Sequence, residues 1–595
     1  MTNTVESDLN SNTGISRMAT GSVFVVSLTL SVISAWSLIR LPGVLNPLAN
    51  QFRGYFPSDQ LSYAGIAASA KSGQLGLVEP FTQTGFSFYP SWWYKLVGLF
   101  AGAADFEVAA AWSILGFSVV IGAVVFIGFA AWRISGKAWA PLTVAILLWI
   151  GPLSSILFDN WFANLNSHAV LWGPYGALYP LNGEAAGLAL GSCALVLGFW
   201  TLARPNWPNW VRLGLFGLSA LLLGVIANFQ TYSFLTLTAI SFWVLAVGGL
   251  LKARQRRPVL AVVVLVVAVM IVGPLVRDTV GALPIYVLML LPTLPGIWQL
   301  IKGQMKIAVI AVVAFLTGAA PQIVWMISGT LAKDPFLVYR VDQSGDLGVP
   351  IWAFLLLGSP VLFIWAAILR VQIKRRGNYE MALLVGWFIA FALLSFNNFW
   401  GFGQEPYRFW IDSVIVFAFI AAVTLPSGNV TAYFADNTAK VLTVPATILL
   451  AASLWNVGGF RAYVSEQGNI SVESAQIESL AELVGTNMTG EGLLSAEPCL
   501  DPRIVKVVTG VPVAFYNLGL AWPEKKAEID AVIAAGDSGV LDTDLMRSAG
   551  ISYVLTDSSC PTAWDPSTGM GVAEIARTDY LVNADVRTLT LWRLF

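Results

Sequence analysis

The sequence predicts a polytopic α-helical membrane protein of about thirteen spans, followed by a soluble C-terminal α/β domain. Three observations carry that fold class. Of 595 residues, 56% are hydrophobic and only 11% are charged, against roughly 25% charged in an average soluble domain. Apolar stretches near the roughly 20 residues needed to cross a bilayer recur along the chain. Basic residues gather in alternate connections between those stretches, as the positive-inside rule requires, with the last such loop, 427–440, carrying only Lys440. The net charge of -1 shows no global polarity toward nucleic acid. The 24 Trp suit a membrane interface, where the ring is apolar and the N–H stays wet.

The expected spans are 19–42, 107–132, 138–158, 184–203, 212–228, 231–251, 258–276, 283–301, 307–328, 350–370, 381–399, 409–426 and 440–457. Residues 1–18 are polar and lack a basic n-region, so they read as a disordered cytoplasmic tail, not a cleaved leader. The turns at Asn228 and Asp278 are short and make the span pairs around them the least defined. With the N-terminus inside, the inside loops carry Arg133/Lys137, Arg204/Arg212, Lys252/Arg254/Arg256/Arg257, Lys302/Lys306 and Lys374/Arg375/Arg376. The outside loops 43–106, 159–183, 329–349 and 400–408 are aromatic and mixed in charge. An odd number of spans places residues 458–595 outside, as an extracytoplasmic domain after the transmembrane region 19–457.

In that C-terminal region charge returns and the periodicity alternates. Stretches 471–485 and 523–536 read as amphipathic helices, and 492–496, 511–516, 551–556 and 588–595 as strands. Gly550 reads as a helix C-cap before a buried strand. Cys193 lies within a span. Cys499 and Cys560 share the exported domain, where an oxidising compartment would permit a disulfide; the alternative is two unpaired buried thiols.

There is no Gly-rich phosphate loop, no H-E-x-x-H and no cysteine-based zinc spacing. One histidine, His168, excludes a multi-histidine metal site; in its aromatic loop it is either a hydrogen-bonding residue or a substrate contact. The informative stretch is the first outside loop, Tyr55-Phe56-Pro57-Ser58-Asp59-Gln60-Leu61-Ser62-Tyr63, continuing to Phe88-Tyr89-Pro90-Ser91-Trp92-Trp93. Asp59 falls at the start of a short surface-lying helix capped by Ser58. A carboxylate there can act as general base on a hydroxyl, or can simply favour the helix dipole. Gln60, Tyr89, Trp92 and Trp93 are candidate substrate contacts beside it.

A second stretch runs from Asn397 to Asp412 and includes Glu405, Tyr407 and Arg408. Arg408 opens a span from the outside, where its fork can grip a phosphate. Asp412, four residues on, either pairs with Arg408 or orients it toward such a phosphate, since intramembrane acids are costly and usually partnered. Gln230 sits at the tight turn Asn228-Phe229-Gln230-Thr231-Tyr232. Glu79, Asp159, Asn160, Glu184, Lys333, Tyr339 and Arg340 are outside-facing polar groups that either line a cavity or, taken singly, read as solvated or interfacial.

An acid just after the first span, many further spans, a late arginine at the outer face and an exported tail domain together resemble the GT-C glycosyltransferases. Ser58-Asp59-Gln60 followed by Phe88-Tyr89-Pro90-Ser91-Trp92-Trp93 looks most like the actinobacterial galactan arabinofuranosyltransferases. The residue-level match covers 55–93 and, more loosely, 404–412. The resemblance implies Asp59 as base, Arg408 as donor-phosphate contact, and a plasma-membrane enzyme. It would move a sugar, arabinofuranose by this likeness, from a polyprenyl-phosphate donor to a cell-envelope glycan on the extracytoplasmic face. Many GT-C members carry two adjacent acids in this loop. Here there is one, which favours a single base with no metal and no cofactor.

Two rival readings belong to other classes. A lipid-linked glycan flippase would carry charge along the interior of several spans, whereas the polar residues here collect at the outer ends. A glycan polymerase or ligase would place several arginines in one late outer loop; Arg340 and Arg408 keep that reading open.

Overall fold

The computed structural model describes residues 6–39, 51–53, 57–150, 172–280, 282–344, 351–375, 378–403, 405–425, 437–472, 474–488, 492–561, 564–568 and 571–595. His168, Asp159 and Asn160 lie outside the described residues, as do the side chains of Arg340 and Tyr407.

The first half of the chain forms α1 (Glu6–Ile39), β1 (Gln51–Arg53), α2 (Pro57–Lys71), α3 (Trp92–Ala104), α4 (Val108–Ser135), α5 (Ala140–Leu147), α6 (Pro174–Leu178), α7 (Gly183–Leu202), α8 (Asn209–Val225), α9 (Thr231–Ala253) and α10 (Arg256–Val280). Then come α11 (Ala282–Leu290), α12 (Leu294–Ile301), α13 (Met305–Leu331), α14 (Pro335–Ser344), α15 (Ile351–Arg375), α16 (Asn378–Ser395), α17 (Pro406–Thr424) and α18 (Asn437–Gln467). The remainder is β2 (Asn469–Ser471), α19 (Ala475–Asn487), β3 (Leu493–Ala496), α20 (Pro502–Thr509), α21 (Lys526–Asp537), α22 (Thr543–Ala549), β4 (Ile551–Asp557), β5 (Val572–Val582) and β6 (Asp585–Leu594). Among the described residues, nine helices are long and apolar enough to cross a membrane. The chain is thus a multi-pass helical membrane protein with a C-terminal α/β region.

The chain divides into two compact units. The first comprises Met1–Pro42, Gly116–Val324 and Val341–Ser465; the second comprises Gly43–Leu115, Trp325–Arg340 and Glu466–Phe595.

The first unit is helix on helix. Without a hydrophobic drive between helices in lipid, close packing must come from small residues. Gly249 of α9 and Gly296 of α12 each lie directly against the other helix's backbone, and Gly386 of α16 lies on Val244 of α9. Trp387 is fully buried and donates its indole N–H to the Ser413 carbonyl at 2.8 Å. The tight turn before α9 is stabilised by Asn228, which donates to the Gly318 carbonyl at 2.9 Å and accepts from Gln322 N–H at 3.1 Å. That buried amide separates α8 from α9 despite a connection too short to show turn residues of its own.

The second unit is built around a four-stranded sheet in the order β3-β4-β6-β5. β3 runs parallel to β4, and the other pairings are antiparallel. Helices were expected at 471–485 and 523–536; they run as α19 and α21. The strand expected at 511–516 is not one. Val513 makes only a single parallel bridge to Leu494, and Phe515 N–H turns back onto the Val513 carbonyl at 2.9 Å, ending the extension. Helix α20 and strand β5 were not anticipated, whereas α22 ends at Gly550, the expected C-cap, which is left-handed with φ of +84°. Cys499 and Cys560 form a disulfide, with Cα atoms 5.7 Å apart.

The first loop is part of this unit's core. β1 pairs antiparallel with β2, Phe52 opposite Ile470. Phe81 is fully buried among Leu480, Val484, Leu494 and Tyr553, and its carbonyl accepts from Val513 N–H at 2.9 Å. Glu79, taken singly, was expected to be solvated or interfacial. It is instead wholly buried, because its carboxylate accepts from the Phe81 and Thr82 N–H groups and the Thr82 hydroxyl, at 2.6 to 3.1 Å.

Candidate functional site

Asp59 belongs to the second unit. Its helix opens with Pro57, which suits the first helical position because its missing N–H has no partner there in any case. Ser58 therefore lies inside the helix and is not the expected cap. From Gln60 to Ala70 the helix is almost entirely buried, so α2 is a core element held between α3 and α20. Against α3 the approach is closest at Gly98, whose α-carbon faces the Ala67 carbonyl; a Cβ there would also stand 2.7 Å from Ala70 Cβ.

Asp59 is the exposed exception on this buried helix, while its neighbour Gln60 is 2% exposed. Behind it stands an aromatic wall. The Tyr63 ring stacks on Tyr94 at 4.8 Å and on Tyr89 at 5.6 Å, and Tyr94 packs on Trp112 at 5.3 Å. Burial holds the Tyr63 phenol well above its ordinary range, with Tyr89, Asp59 and Tyr94 adding to the effect, so Tyr63 stays neutral. Trp93 is 2% exposed and is a core residue, whereas Trp92 is 39% exposed and faces outward.

The first unit gathers the other predicted residues. Asn182 caps α7 by accepting from Glu184 and Ala185 N–H, both at 3.1 Å, which places Glu184 in the first turn. Gln230 caps α9, its side-chain oxygen accepting from Tyr232 N–H at 2.6 Å. Glu405 precedes α17 with φ of +23°, a conformation unusual for a residue with a Cβ. That turn brings Glu405 within 2.5 Å of Arg408 Nε, while Arg408 Nη1 lies 3.4 Å from Glu184. The guanidinium carbon sits 5.1 Å from the centre of the Tyr232 ring.

Asp412, fully buried, accepts from the Thr236 hydroxyl at 3.4 Å. Two carboxylates, Glu405 and Glu184, share one guanidinium. Among the described residues, Glu184 Oε1 and Asp412 Oδ1 have no hydrogen-bond donor. From the sequence Glu184 was either cavity-lining or a solvated or interfacial residue; folding buries it beside Arg408. Its place just after Asn182, a strong N-cap, was the available signal.

No metal-binding group of three or more His, Cys, Asp or Glu occurs among the described residues. No family model and no curated protein matches the chain. Among solved structures, it is similar to the oligosaccharyltransferase AglB of Archaeoglobus fulgidus in complex with an inhibitory peptide and a dolichol-phosphate. That match has 13% identity and a TM-score of 0.49, covering 90% of this chain and 69% of that one. It is also similar to ArnT of Cupriavidus metallidurans bound to undecaprenyl phosphate, at 13% identity and a TM-score of 0.47, covering 96% of this chain and 98% of that one. At such TM-scores the activity has to be argued from this chain's own residues.

Proposed function

We propose that this protein is a membrane glycosyltransferase of GT-C type that uses a polyprenyl-phosphate sugar on the extracytoplasmic face, with Asp59 as its general base. The observation that carries the reading is Asp59 itself: one exposed carboxylate at the head of an otherwise buried helix, in front of a wall of stacked tyrosines. Such a placement leaves the acid accessible to a sugar hydroxyl while the helix fixes its backbone. The motif Ser58-Asp59-Gln60 with Phe88-Tyr89-Pro90-Ser91-Trp92-Trp93 supplies the likeness to arabinofuranosyltransferases. Arabinofuranose is accordingly the donor sugar we infer, and a cell-envelope glycan the acceptor.

In the reaction, Asp59 removes the proton of the acceptor hydroxyl as its oxygen bonds to the anomeric carbon. The bond from that carbon to the phosphate oxygen breaks, polyprenyl phosphate leaves, and the anomeric configuration inverts. Exposed Trp92 and half-buried Tyr89 offer surfaces for sugar stacking. Arg408 can meet a donor phosphate by exchanging its longer contact, Glu184 at 3.4 Å, while keeping Glu405 at 2.5 Å. An arginine so placed stabilises the negative charge that develops on the leaving group.

The test is transfer from a synthetic polyprenyl-phosphate arabinofuranose, with the mannose analogue alongside, by purified wild type and Asp59→Asn. Loss of a general base predicts a fall of at least about 100-fold. A folded Asp59→Asn that transfers at the wild-type rate refutes the assignment, and preference for the mannose donor refutes the sugar.

A further inference from the structure

The helix carrying Asp59 is packed against a helix from the C-terminal region. A Cβ on Gly65 of α2 would stand 3.7 Å from Lys506 Cγ, and one on Gly510 would stand 3.6 Å from Ser72 Cβ. Those contacts advance in the same direction along both chains. α2 and α20 therefore run side by side with their N-terminal ends together. The Ser62 hydroxyl accepts from the Asn517 amide at 2.7 Å, tying the same end of α2 to the chain beyond α20.

Stepping back one turn from Lys506 reaches Arg503, beside the opening turns of α2. Its guanidinium is an electrostatic neighbour of the Asp59 carboxylate. The Arg503 side chain is held in place. Nε donates to both Asp501 oxygens at 2.9 and 3.2 Å, and Nη2 donates to one at 2.7 Å. Phe515 lies beneath it, ring centre 5.9 Å from the guanidinium carbon. Nη1 has no hydrogen-bond partner among the described residues, and about a quarter of the side chain (24%) is exposed.

We propose that Arg503 is a positioning residue for the Asp59 base: the C-terminal α/β region supplies a fixed guanidinium that favours the ionised carboxylate and orients it. This rests on the reading of Asp59 given above. An opposite charge nearby favours the charged form of an acid. The other titratable groups on elements packed against α2 are Arg53 of β1, Tyr94 and Lys95 of α3, Lys506 of α20 and Asp501, which caps α20. Tyr63 faces Asp59 from α2 itself and stays neutral. Lys506 is turned to Gly510, whose carbonyl it contacts at 3.0 Å. Lys95 is turned to the Gly76 carbonyl at 3.0 Å, and Arg503 is the cation that α20 brings into the field of Asp59.

The test is the pH profile of kcat/KM for sugar transfer, measured on the full chain. Transfer needs the ionised base, so activity rises with pH along an acid limb. In Arg503→Gln the limb moves to higher pH by about 0.5 to 1 unit, and Arg503→Lys recovers most of the shift. In the wild type, raising ionic strength from about 0.05 to 0.5 M moves the limb the same way, because a partly exposed pair is screened. An Arg503→Gln limb that coincides with the wild type overturns the inference. Should that variant fail to fold, a wild-type limb that ignores salt overturns it equally. Asp59→Asn separates the two readings: if it keeps full activity the base assignment falls, whereas an inactive Asp59→Asn with an unmoved Arg503→Gln limb defeats only the role of Arg503.

Discussion

The buried pair Glu79 and Lys506 should give the second unit a stability minimum near neutral pH. Both side chains are 0% exposed. Burial pushes the Glu79 carboxyl from 4.5 up to about 7, against the opposing pull of its bonds from Thr82 and Phe81 and of the Lys506 charge. Burial likewise pushes the Lys506 ammonium from 10.5 down to about 7, against the attraction of Glu79. Between about pH 4.5 and 7 the folded state keeps a proton on Glu79 that the unfolded chain has released, so stability falls as pH rises. Between about 7 and 10.5 the unfolded chain keeps a proton on Lys506 that the folded state has released, so stability rises again. Each limb has a slope of about 1.4 kcal/mol per pH unit. With a Glu79 displacement of two to three units, the acid limb amounts to about 3 kcal/mol.

Glu79→Gln removes the acid limb. It also removes the attraction that supports the Lys506 charge, so the alkaline rise begins at lower pH. The measurement is urea unfolding of the detergent-solubilised protein at pH 5 to 10, read by pulse proteolysis within residues 466–595. Other titrating groups cancel in the difference between wild type and variant. A difference that stays flat between pH 5 and 7 refutes the reasoning, because the burial of Glu79 would then carry no proton.

Two further outcomes follow from the same structure. Replacing Cys499 and Cys560 by Ser opens a disulfide spanning 61 residues of sequence, which should cost the second unit about 4 kcal/mol by loop entropy; urea unfolding with and without reductant checks it, and equal midpoints would exclude a stabilising bond. Arg408→Ala strands Glu405 and Glu184 without their guanidinium, a loss of about 3 to 5 kcal/mol for breaking a buried pair. Arg408→Lys should lose less, and the loss of monodisperse protein on heating in detergent distinguishes them; an Arg408→Ala protein as heat-stable as the wild type would show the cluster is not structural.

What the sequence disclosed and what it concealed divide along physical lines. Span helices were legible because lipid demands some 20 apolar residues in a row and leaves no other way to satisfy the backbone. Among the described residues, nine of the thirteen expected spans coincide with stretches long and apolar enough to cross a membrane. Asp59 stood out as a candidate from its place in an aromatic loop, and it is exposed at the head of a buried helix. The core of the second unit was not, since its contacts join residues hundreds of positions apart. β1 and β2 are three residues each, too short to show a period, and they meet across 418 positions at Gln51 and Asn469. β5 hides its alternation behind a register shift between Glu574 and Ala576.

Glu79 misled for a different reason. An acid in a polar loop ordinarily faces water, but the two residues that follow Pro80 turn their N–H groups onto its carboxylate and carry Phe81 into the core. Arg503 could not have been found from its neighbours at all. Its local partner Asp501 makes an ordinary helix-start ion pair, and only the packing of α20 on α2 brings the guanidinium to Asp59. A candidate base can thus be proposed from a motif, while the groups proposed to set its charge come from wherever the fold happens to deliver them. On the proposal made for Arg503, the α/β region takes part in the chemistry.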